Sequence, residues 1–187
     1  MISTLDQQLF LFFNQLPHTP GLDSLALAIS GIGNAGLVWI FIAVWLFWRE
    51  ERHGWHFFAP FIAAGVSAAV AAEVVLKPFI GRLRPALFLV ETIVVGNAMP
   101  QTFSFPSTHS TLAWALATVI AAEDARIGKA ALFLAVLVSL SRVYLGMHYP
   151  VDVIAGAFLG WGIGLVCVRL FAPQRPTKKK AKPRRMR

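Results

Sequence analysis

The sequence predicts an all-α fold: a polytopic membrane helical bundle with about five transmembrane helices and a further helix at the N-terminus. Two observations predict this class. Hydrophobic residues make up 57% of the 187 residues and charged residues only 14%, a composition outside the usual range of soluble domains. Apolar runs of about 20 residues, the length that crosses about 30 Å of hydrocarbon, also recur along the chain. We expect one membrane-embedded domain over residues 1–172 and a basic tail over residues 173–187.

Five apolar runs are predicted to span the membrane. The first two are long, whereas the other three are shorter or bordered by polar residues, and the fourth must extend towards Tyr144. In chain order the runs are Leu22–Trp48, Gly54–Leu76, Ser107–Ala122, Gly128–Leu140 and Val151–Phe171. The connecting segments then alternate between the two faces of the membrane.

The first twenty residues, MISTLDQQLFLFFNQLPHTP, are too short for a full span and turn most of their apolar side chains to one side of a helix. These side chains are Leu5, Leu9, Phe10, Phe12, Phe13 and Leu16. An amphipathic helix in the membrane interface accounts for the pattern. A sixth, short span is the alternative.

The tail from Pro173 to Arg187 carries the whole net charge of +8, because it holds eight of the 17 basic residues and none of the nine acidic ones. The positive-inside rule places this tail in the cytoplasm. With five alternating spans, Lys77–Pro106 and Ser141–Asp152 then share the external face of the plasma (inner) membrane. The tail has no aromatic residue to stack on bases, so we expect it to be disordered and attracted to anionic lipid, with no nucleic-acid partner.

Basic residues gather on this external side where the second span ends. Lys77, Arg82 and Arg84 lie in the segment KPFIGRLRP, whose prolines break the helix. A basic side chain that reaches from a helix end to the interface explains any one of them. Three of them run against the positive-inside rule, so we expect an anionic group to compensate them. Glu73, four residues before Lys77, is expected to form a structural ion pair with it.

Two histidines stand at the predicted starts of the next external helices. Ser107 is a good N-cap for the third span, and His109 follows in its first turn, beside backbone N–H groups that favour anions. His148 and Asp152 are spaced i, i+4 about Pro150, so the carboxylate can orient the imidazole. A histidine oriented in this way is a base, a nucleophile or a metal ligand.

The charges around these histidines favour an anion. Four basic residues would repel a metal cation: Lys77, Arg82, Arg84 and Arg142. A serine hydrolase would need a Ser–His pair, but Ser107 and His109 are two residues apart on a helix and do not face each other. Phosphate fits the donors best, since arginines form paired hydrogen bonds with its oxygens and two histidines can transfer its phosphoryl group and protons.

Three motifs resemble the signature of the type 2 phosphatidic acid phosphatase superfamily, which includes bacterial membrane lipid phosphatases and soluble vanadium haloperoxidases. In order they read Lys77-x6-Arg84-Pro85, Pro106-Ser107-Thr108-His109 and Ser141-Arg142-x5-His148-x3-Asp152. The resemblance runs from about Lys77 to Asp152, and the flanking spans fit the helical bundle of the family. Thr108 stands where the family has glycine; it keeps the backbone N–H that faces phosphate but adds bulk, which bears on substrate fit.

The resemblance implies a role for each matched residue. His148 would attack phosphorus and form a phosphohistidine, Asp152 would orient it, and His109 would protonate the leaving oxygen and then activate water. The phosphoryl oxygens would be bound by Lys77, Arg84, Ser107, Thr108 and Arg142. No metal or other cofactor is expected, because fixed cations supply the electrostatic stabilisation. Arg82 matches no family position and is expected only at the pocket rim.

A site at the external membrane surface implies a lipid phosphate or diphosphate as substrate. By its resemblance and its small size, the chain is most similar to bacterial enzymes that recycle undecaprenyl diphosphate. Phosphatidylglycerol phosphate, phosphatidic acid and lipid A phosphates remain open as substrates. Two hypotheses from other functional classes are an anionic-lipid transporter and a haloperoxidase. A transporter would not need the His148–Asp152 pair, and the membrane spans argue against a haloperoxidase. The sequence does not indicate the oligomeric state.

Overall fold

The computed structural model describes residues 4–33, 36–49, 55–96 and 102–171, and within these ranges the chain forms helices and no strands. The predicted tail, residues 173–187, lies outside the described residues. The helices are α1 (Thr4–Asn14), α2 (Pro20–Ile32), α3 (Leu37–Arg49), α4 (Trp55–Ala69), a π-helical segment (Val70–Leu76), α5 (Lys77–Ile80), a 3₁₀ turn (Pro85–Leu87), α6 (Thr108–Glu123), α7 (Ala125–Tyr144) and α8 (Pro150–Phe171). The prediction of an all-α polytopic membrane protein is confirmed.

Three of the described helical segments are long and apolar enough to cross a membrane: Phe58–Leu87, Ala125–Tyr144 and Pro150–Phe171. The first predicted span is divided into α2 and α3, which meet at a bend of 58° and provide a fourth crossing if they act as one span. The remaining predicted span is α6, which has 16 residues and is therefore about 24 Å long. Helix α6 lies at the centre of the bundle, where α4, α7 and α8 pack around it.

The bundle depends on a close approach of α8 to α6 through glycines spaced four residues apart. A Cβ atom added at Gly156, Gly160 or Gly164 would lie 2.8, 2.1 or 2.7 Å from the backbone carbonyl oxygen of Ser107, Thr111 or Ala115, respectively. Small residues at this spacing let two helix backbones approach closely. This contact sets the start of α6, which carries His109, beside the start of α8, which follows His148.

At each end of the bundle, neighbouring loops contact each other as the alternating topology predicts. At one end, Arg49, the last residue of α3, forms an ion pair with Asp124 between α6 and α7. At the other end, the Ser107 N–H donates to the carbonyl oxygen of Asp152 at 3.0 Å. The segments expected to share a membrane face therefore contact each other, while the assignment of the faces to cytoplasm and exterior stays a prediction.

Helix α1 packs on the second of these ends. It has 11 residues and is therefore about 16 Å long, too short to cross about 30 Å of hydrocarbon. Its inner face buries Asp6, Phe10 and Asn14, whereas Leu5 and Phe12 on the outside are 64% and 66% exposed. An apolar outer face suits the predicted place at the membrane interface, although Phe10 turns inward, contrary to the one-sided apolar pattern.

We predict that Gly160→Ala lowers the thermal stability of the protein in detergent. The added methyl group has no room beside the Thr111 carbonyl, and overpacking of this kind costs about 1–3 kcal/mol or more. Gly162 on the same helix is the matched control, because nothing lies within 4 Å of its added Cβ. Gly162→Ala should be neutral or stabilising, since alanine favours a helix by about 0.5–1 kcal/mol over glycine. Equal melting temperatures for the two variants would contradict the close approach.

Candidate active site

A cavity of about 370 Å³ lies at the start of α6. The segments that precede α5, α6 and α8 come together there. The cavity is lined by Gly33, Ala69, Glu73, Lys77, Arg84, Thr102, Thr108, His109, Leu112, Arg142 and His148. Six of the eight predicted site residues are among them. The other two, Ser107 and Asp152, are fully buried and are joined by their backbones next to the cavity.

Arg84 is held rigidly at this cavity. The chain turns back at Gly81, whose φ of 63° lies in the left-handed region that suits glycine. The Arg84 guanidinium then donates to the carbonyl oxygens of Thr102 and Met147, both at 2.8 Å, and of Phe103 at 3.3 Å. Only 2% of Arg84 is exposed. Its positive charge is thus fixed in place before any anion binds, as electrostatic preorganisation requires.

Arg84 also defines the tautomer of His148. Its Nη1 lies 3.2 Å from Nε2 of His148. A guanidinium has donors and no acceptor, so Nε2 must accept this hydrogen bond with its lone pair. The proton of the neutral imidazole is therefore on Nδ1. This tautomer places the lone pair of the ring on Nε2, the atom that contacts Arg84.

Asp152 lies on the opposite side of the His148 ring. Its Oδ2 is 3.6 Å from Nδ1 of His148 and accepts a hydrogen bond from the Tyr149 N–H at 2.9 Å. His148 Nδ1 has no hydrogen bond within the described residues. The two side chains are therefore neighbours without a direct hydrogen bond, and the orienting role of Asp152 stays a prediction.

The surroundings of His148 keep its imidazole neutral. Burial, and then the positive charges of Arg84, Arg142 and Lys77, hold the pKa of His148 well below the ordinary histidine value. A neutral imidazole has the lone pair that a nucleophile needs.

The start of α6 supplies backbone donors, as the sequence predicted. Ser107 is the N-cap, and its Oγ accepts from the Ser110 N–H at 3.5 Å. This leaves the Ser107 side chain facing its own helix, outside the cavity lining. Thr108 and His109 line the cavity directly. The hydroxyl group of Thr108 donates to Oε2 of Glu73 at 2.5 Å.

Glu73 has a larger part in the site than its predicted ion pair. The same Oε2 accepts from Nζ of Lys77 at 2.6 Å, which confirms the pair, and from Thr108. One carboxylate oxygen thus occupies the Lys77 ammonium, which was predicted to bind phosphate, and the Thr108 hydroxyl, whereas the predicted phosphate donor of Thr108 is its backbone N–H. The Thr108 contact was not foreseen, because Glu73 and Thr108 are 35 residues apart and only the fold brings them together.

Arg142 enters the cavity from the end of α7. Its Nη1 donates to Oγ of Ser30 at 2.6 Å, whereas its buried Nε has no hydrogen-bond partner within the described residues. An unsatisfied buried donor on a cation is costly without an acceptor, so Arg142 is poised to bind an anion. Ser30 on α2 was missed, because a serine in an apolar helix carries no local signal.

The expectation that Arg82 lies at the pocket rim is wrong. Arg82 does not line the cavity. Its guanidinium lies behind the site, where Nη1 forms an ion pair with Asp152 and Nη2 with Asp6. The sequence could not reveal this arrangement, because Asp6 and Arg82 are 76 residues apart.

Together the fold and the site define a class: a multi-pass helical membrane protein with a cationic pocket that contains two histidines at one end of the bundle. The PAP2 superfamily profile matches residues 59–176, and the chain belongs to this superfamily. The resemblance of the three motifs is thereby confirmed.

Relatives and a solved structure agree with this assignment. The chain is 34% identical to decaprenylphosphoryl-5-phosphoribose phosphatase of Mycolicibacterium smegmatis over 75% of this chain and 74% of that protein. It is 32% identical to undecaprenyl-diphosphatase of Sulfolobus acidocaldarius over 80% of this chain and 70% of that protein. Its fold matches the crystal structure of Aquifex aeolicus LpxE with a TM-score of 0.75 and 29% identity, over 89% and 96% of the two chains. The protein is a lipid phosphatase.

We predict that Glu73→Gln strengthens inhibition by vanadate. The change removes a negative charge that binds Lys77 and Thr108, so both become available to the anion, and we expect an inhibition constant about tenfold lower, equivalent to about 1.4 kcal/mol. Phosphate release at a series of vanadate concentrations measures this constant. Glu91→Gln, at an exposed loop position, is the control. Weaker inhibition of Glu73→Gln would show that Glu73 holds Lys77 in place rather than competing with the anion.

Proposed function

We propose that the protein hydrolyses a polyprenyl-linked phosphate or diphosphate through a phosphohistidine at His148, with undecaprenyl diphosphate as the first candidate substrate. The observation that carries this proposal is the hydrogen bond from Arg84 to Nε2 of His148 within the cavity. It marks Nε2 as a lone-pair donor and places a fixed cation next to it. An anion that approaches the cation is brought to the nucleophile.

In the first step, the Arg84 Nη1–H group shifts its hydrogen bond from Nε2 of His148 to a phosphoryl oxygen. The freed Nε2 lone pair forms a bond to phosphorus while the bond from phosphorus to the leaving lipid oxygen breaks. His109 donates a proton to that oxygen, and the Nδ1 proton of His148 moves towards Asp152. Lys77, Arg84 and Arg142 neutralise the phosphoryl oxygens, and this is the charge that phosphoryl transfer requires the protein to stabilise.

In the second step, His109 takes a proton from a water molecule, and the water oxygen attacks phosphorus. The bond from phosphorus to Nε2 breaks, inorganic phosphate leaves, and His148 returns to the neutral tautomer that Arg84 stabilises. The proton balance closes, because His109 gives up one proton in the first step and regains one in the second. The fixed cations supply the electrostatic stabilisation, so the proposal needs no metal.

An apolar groove beside the cavity supports a lipid substrate. This groove, of about 510 Å³, lies between α3, α4 and α6 and is lined by Gly36, Ile40, Ala43, Phe58, Phe61, Ile62, Gly65, Val66, Ala69, Leu112 and Leu116. Ala69 and Leu112 line both the groove and the cavity. Along α4 the groove reaches from Ala69 to Phe58, about 16 Å. A hydrocarbon chain attached to a phosphate in the cavity can therefore extend into it.

The named activities of the relatives favour a polyprenyl chain over a glycerolipid. One relative is named for a decaprenyl compound and the other for an undecaprenyl compound. They differ in the bond hydrolysed: the first is named for a phosphate on ribose and the second for a diphosphate. A phosphate ester on a polyprenyl-linked sugar is therefore the second candidate substrate. Phosphatidylglycerol phosphate, phosphatidic acid and lipid A phosphates are the remaining alternatives.

The charge distribution supports an active site on the external (periplasmic) face of the plasma membrane. The described cationic pocket is at the bundle end opposite Arg49 and Asp124, and the basic residues 173–187 follow α8, which runs from the pocket end to the other end. The positive-inside rule then places the tail in the cytoplasm. A protease-accessibility assay on sealed spheroplasts tests this orientation.

We predict that purified protein in detergent with EDTA releases phosphate from undecaprenyl diphosphate faster than from phosphatidylglycerol phosphate or phosphatidic acid. His148→Ala should lower turnover by about 10³-fold or more, because it removes the imidazole that forms the proposed phosphohistidine. Mass spectrometry of acid-labile phosphate on rapidly quenched protein tests the intermediate. Substantial hydrolysis by His148→Ala would exclude this mechanism, and transport without hydrolysis would favour the anionic-lipid transporter.

We also predict that Gly65→Leu slows hydrolysis of undecaprenyl diphosphate but not of p-nitrophenyl phosphate. A Cβ at Gly65 meets only side-chain atoms of Leu116 and Leu112, at 3.5 and 3.9 Å, so the new side chain fits and fills the groove. Loss of the contacts of about two methylene groups costs about 1.6 kcal/mol, or roughly tenfold in kcat/KM. Gly162→Leu is the matched control. An equal loss with both substrates would show that the groove does not hold the chain.

A further inference from the structure

We propose that Asp6 and Arg82 are positioning residues for the His148–Asp152 pair. Helix α1, which carries Asp6, would then contribute to the geometry of the active site. This inference rests on the proposed role of His148 as the nucleophile. Neither residue lines the cavity, and neither contacts the position of the substrate. Their effect on the reaction is exerted through Asp152.

The first observation is a buried ion network behind the pair. Arg82 Nη1 donates to Oδ1 of Asp152, and Arg82 Nη2 donates to Oδ2 of Asp6. The side chains of Arg82, Asp6 and Asp152 are 13%, 3% and 0% exposed. The Arg82 guanidinium also lies 4.2 Å from the ring centroid of Tyr149, next to His148 in the chain. These contacts fix Oδ1 of Asp152 and leave Oδ2 to face His148.

The second observation is that Asp6 also holds the start of α8. Its Oδ1 accepts a hydrogen bond from the Val151 N–H at 3.0 Å, in the first turn of the helix that contains Asp152. Asp152 in turn accepts from the Tyr149 N–H. The short segment that carries His148 is therefore fixed from two sides, by a carboxylate of α1 and by a carboxylate of α8.

The rest of the inner face of α1 anchors the helix in this position. The Phe10 ring packs edge-on against Tyr149 with centroids 5.4 Å apart. Asn14 donates to the carbonyl oxygens of Ile93 and Tyr144 at 2.8 and 2.9 Å. Asp6, Phe10 and Asn14 recur every four residues and so lie on one face. A helix that only covered apolar surface would not need two buried polar residues on that face.

The charges of Asp6 and Arg82 give this proposal a signature that a purely structural role lacks. Among the described residues, the other charged or titratable groups around His148 are Lys77, Arg84, Arg142, Glu73, His109, Tyr149 and Asp152. Asp6→Asn makes this environment more positive, which lowers the pKa of His148 further. Arg82→Gln makes it more negative, which raises the pKa. The acid limb of the kcat/KM profile should therefore move to lower pH in Asp6→Asn and to higher pH in Arg82→Gln.

The experiment measures kcat, KM and the pH dependence of kcat/KM for full-length Asp6→Asn, Arg82→Gln and the double variant in detergent. The asparagine oxygen can still accept from the Val151 N–H, so the start of α8 stays satisfied. We expect kcat to fall about tenfold or more in each single variant, with KM within about threefold, as for interactions expressed in the transition state. The double variant, in which the two charge changes cancel, should have an acid limb close to that of the wild type.

The matched control is Asp124→Asn. Asp124 also pairs with an arginine, Arg49, and accepts the Arg126 and Ile127 N–H groups at the start of a helix, α7, but at the far end of the bundle. This variant should lose stability while keeping kcat and the pH profile. Should Asp6→Asn not fold, Asp6→Ser, which also keeps an acceptor for Val151, replaces it in the same measurements.

The outcomes separate this inference from the proposed function. Loss of turnover in His148→Ala together with unchanged kcat and pH profile in Asp6→Asn would overturn only the positioning role. Shifts in the same direction for Asp6→Asn and Arg82→Gln, or a kcat loss in Asp124→Asn equal to that in Asp6→Asn, would also overturn it. Activity in His148→Ala would overturn the proposed mechanism itself. Opposite shifts with a kcat loss confined to the Asp6 and Arg82 variants would support the inference.

Discussion

The close approach of α8 to α6 is the constraint on which the rest of the structure depends. Gly160 has no side chain, so its backbone can lie against the carbonyl oxygen of Thr111, where a Cβ would be only 2.1 Å away. This distance places the first turns of the two helices side by side. The Ser107 N–H can then donate to the Asp152 carbonyl oxygen, and His109 and His148 reach one cavity. A wider spacing would separate the two histidines that phosphoryl and proton transfer need together.

Charge compensation explains how several cations are kept in and around the site. Cations that are rarely tolerated inside a bundle are kept there because carboxylates offset them. Arg82 is paired with Asp6 and Asp152, and Lys77 is paired with Glu73. Arg84 is held by neutral carbonyl groups, and Arg142 by the hydroxyl group of Ser30. Arg84 and Arg142 are thus held by neutral groups in these contacts, whereas Lys77 is held by a carboxylate.

The polar cavity and the apolar groove adjoin each other and offer different chemistry to a ligand. The cavity offers hydrogen-bond donors and positive charge, which suit any phosphate, and this agrees with relatives named for chemically different phosphates. The groove offers only apolar side chains and glycines, so it responds to the size of the hydrocarbon chain rather than to its head group. Thr108, where the resemblance leads one to expect glycine, adds a hydroxyl group that binds Glu73 and thus links the backbone donors of α6 to the charge balance of the cavity.

The sequence by itself determined the helical membrane class, the N-cap at Ser107 and six of the residues that line the cavity, because apolar runs, capping residues and motif spacing act over a few neighbouring residues. Local spacing also placed Asp152 beside His148 and Glu73 beside Lys77. Only the tertiary structure decided the partners across long separations: Asp6 with Arg82, Arg82 with Asp152 and Ser30 with Arg142 are 76, 70 and 112 residues apart. Side chains so distant in the chain meet only after the helices pack, so Arg82, expected at the rim, lies behind the site between two carboxylates.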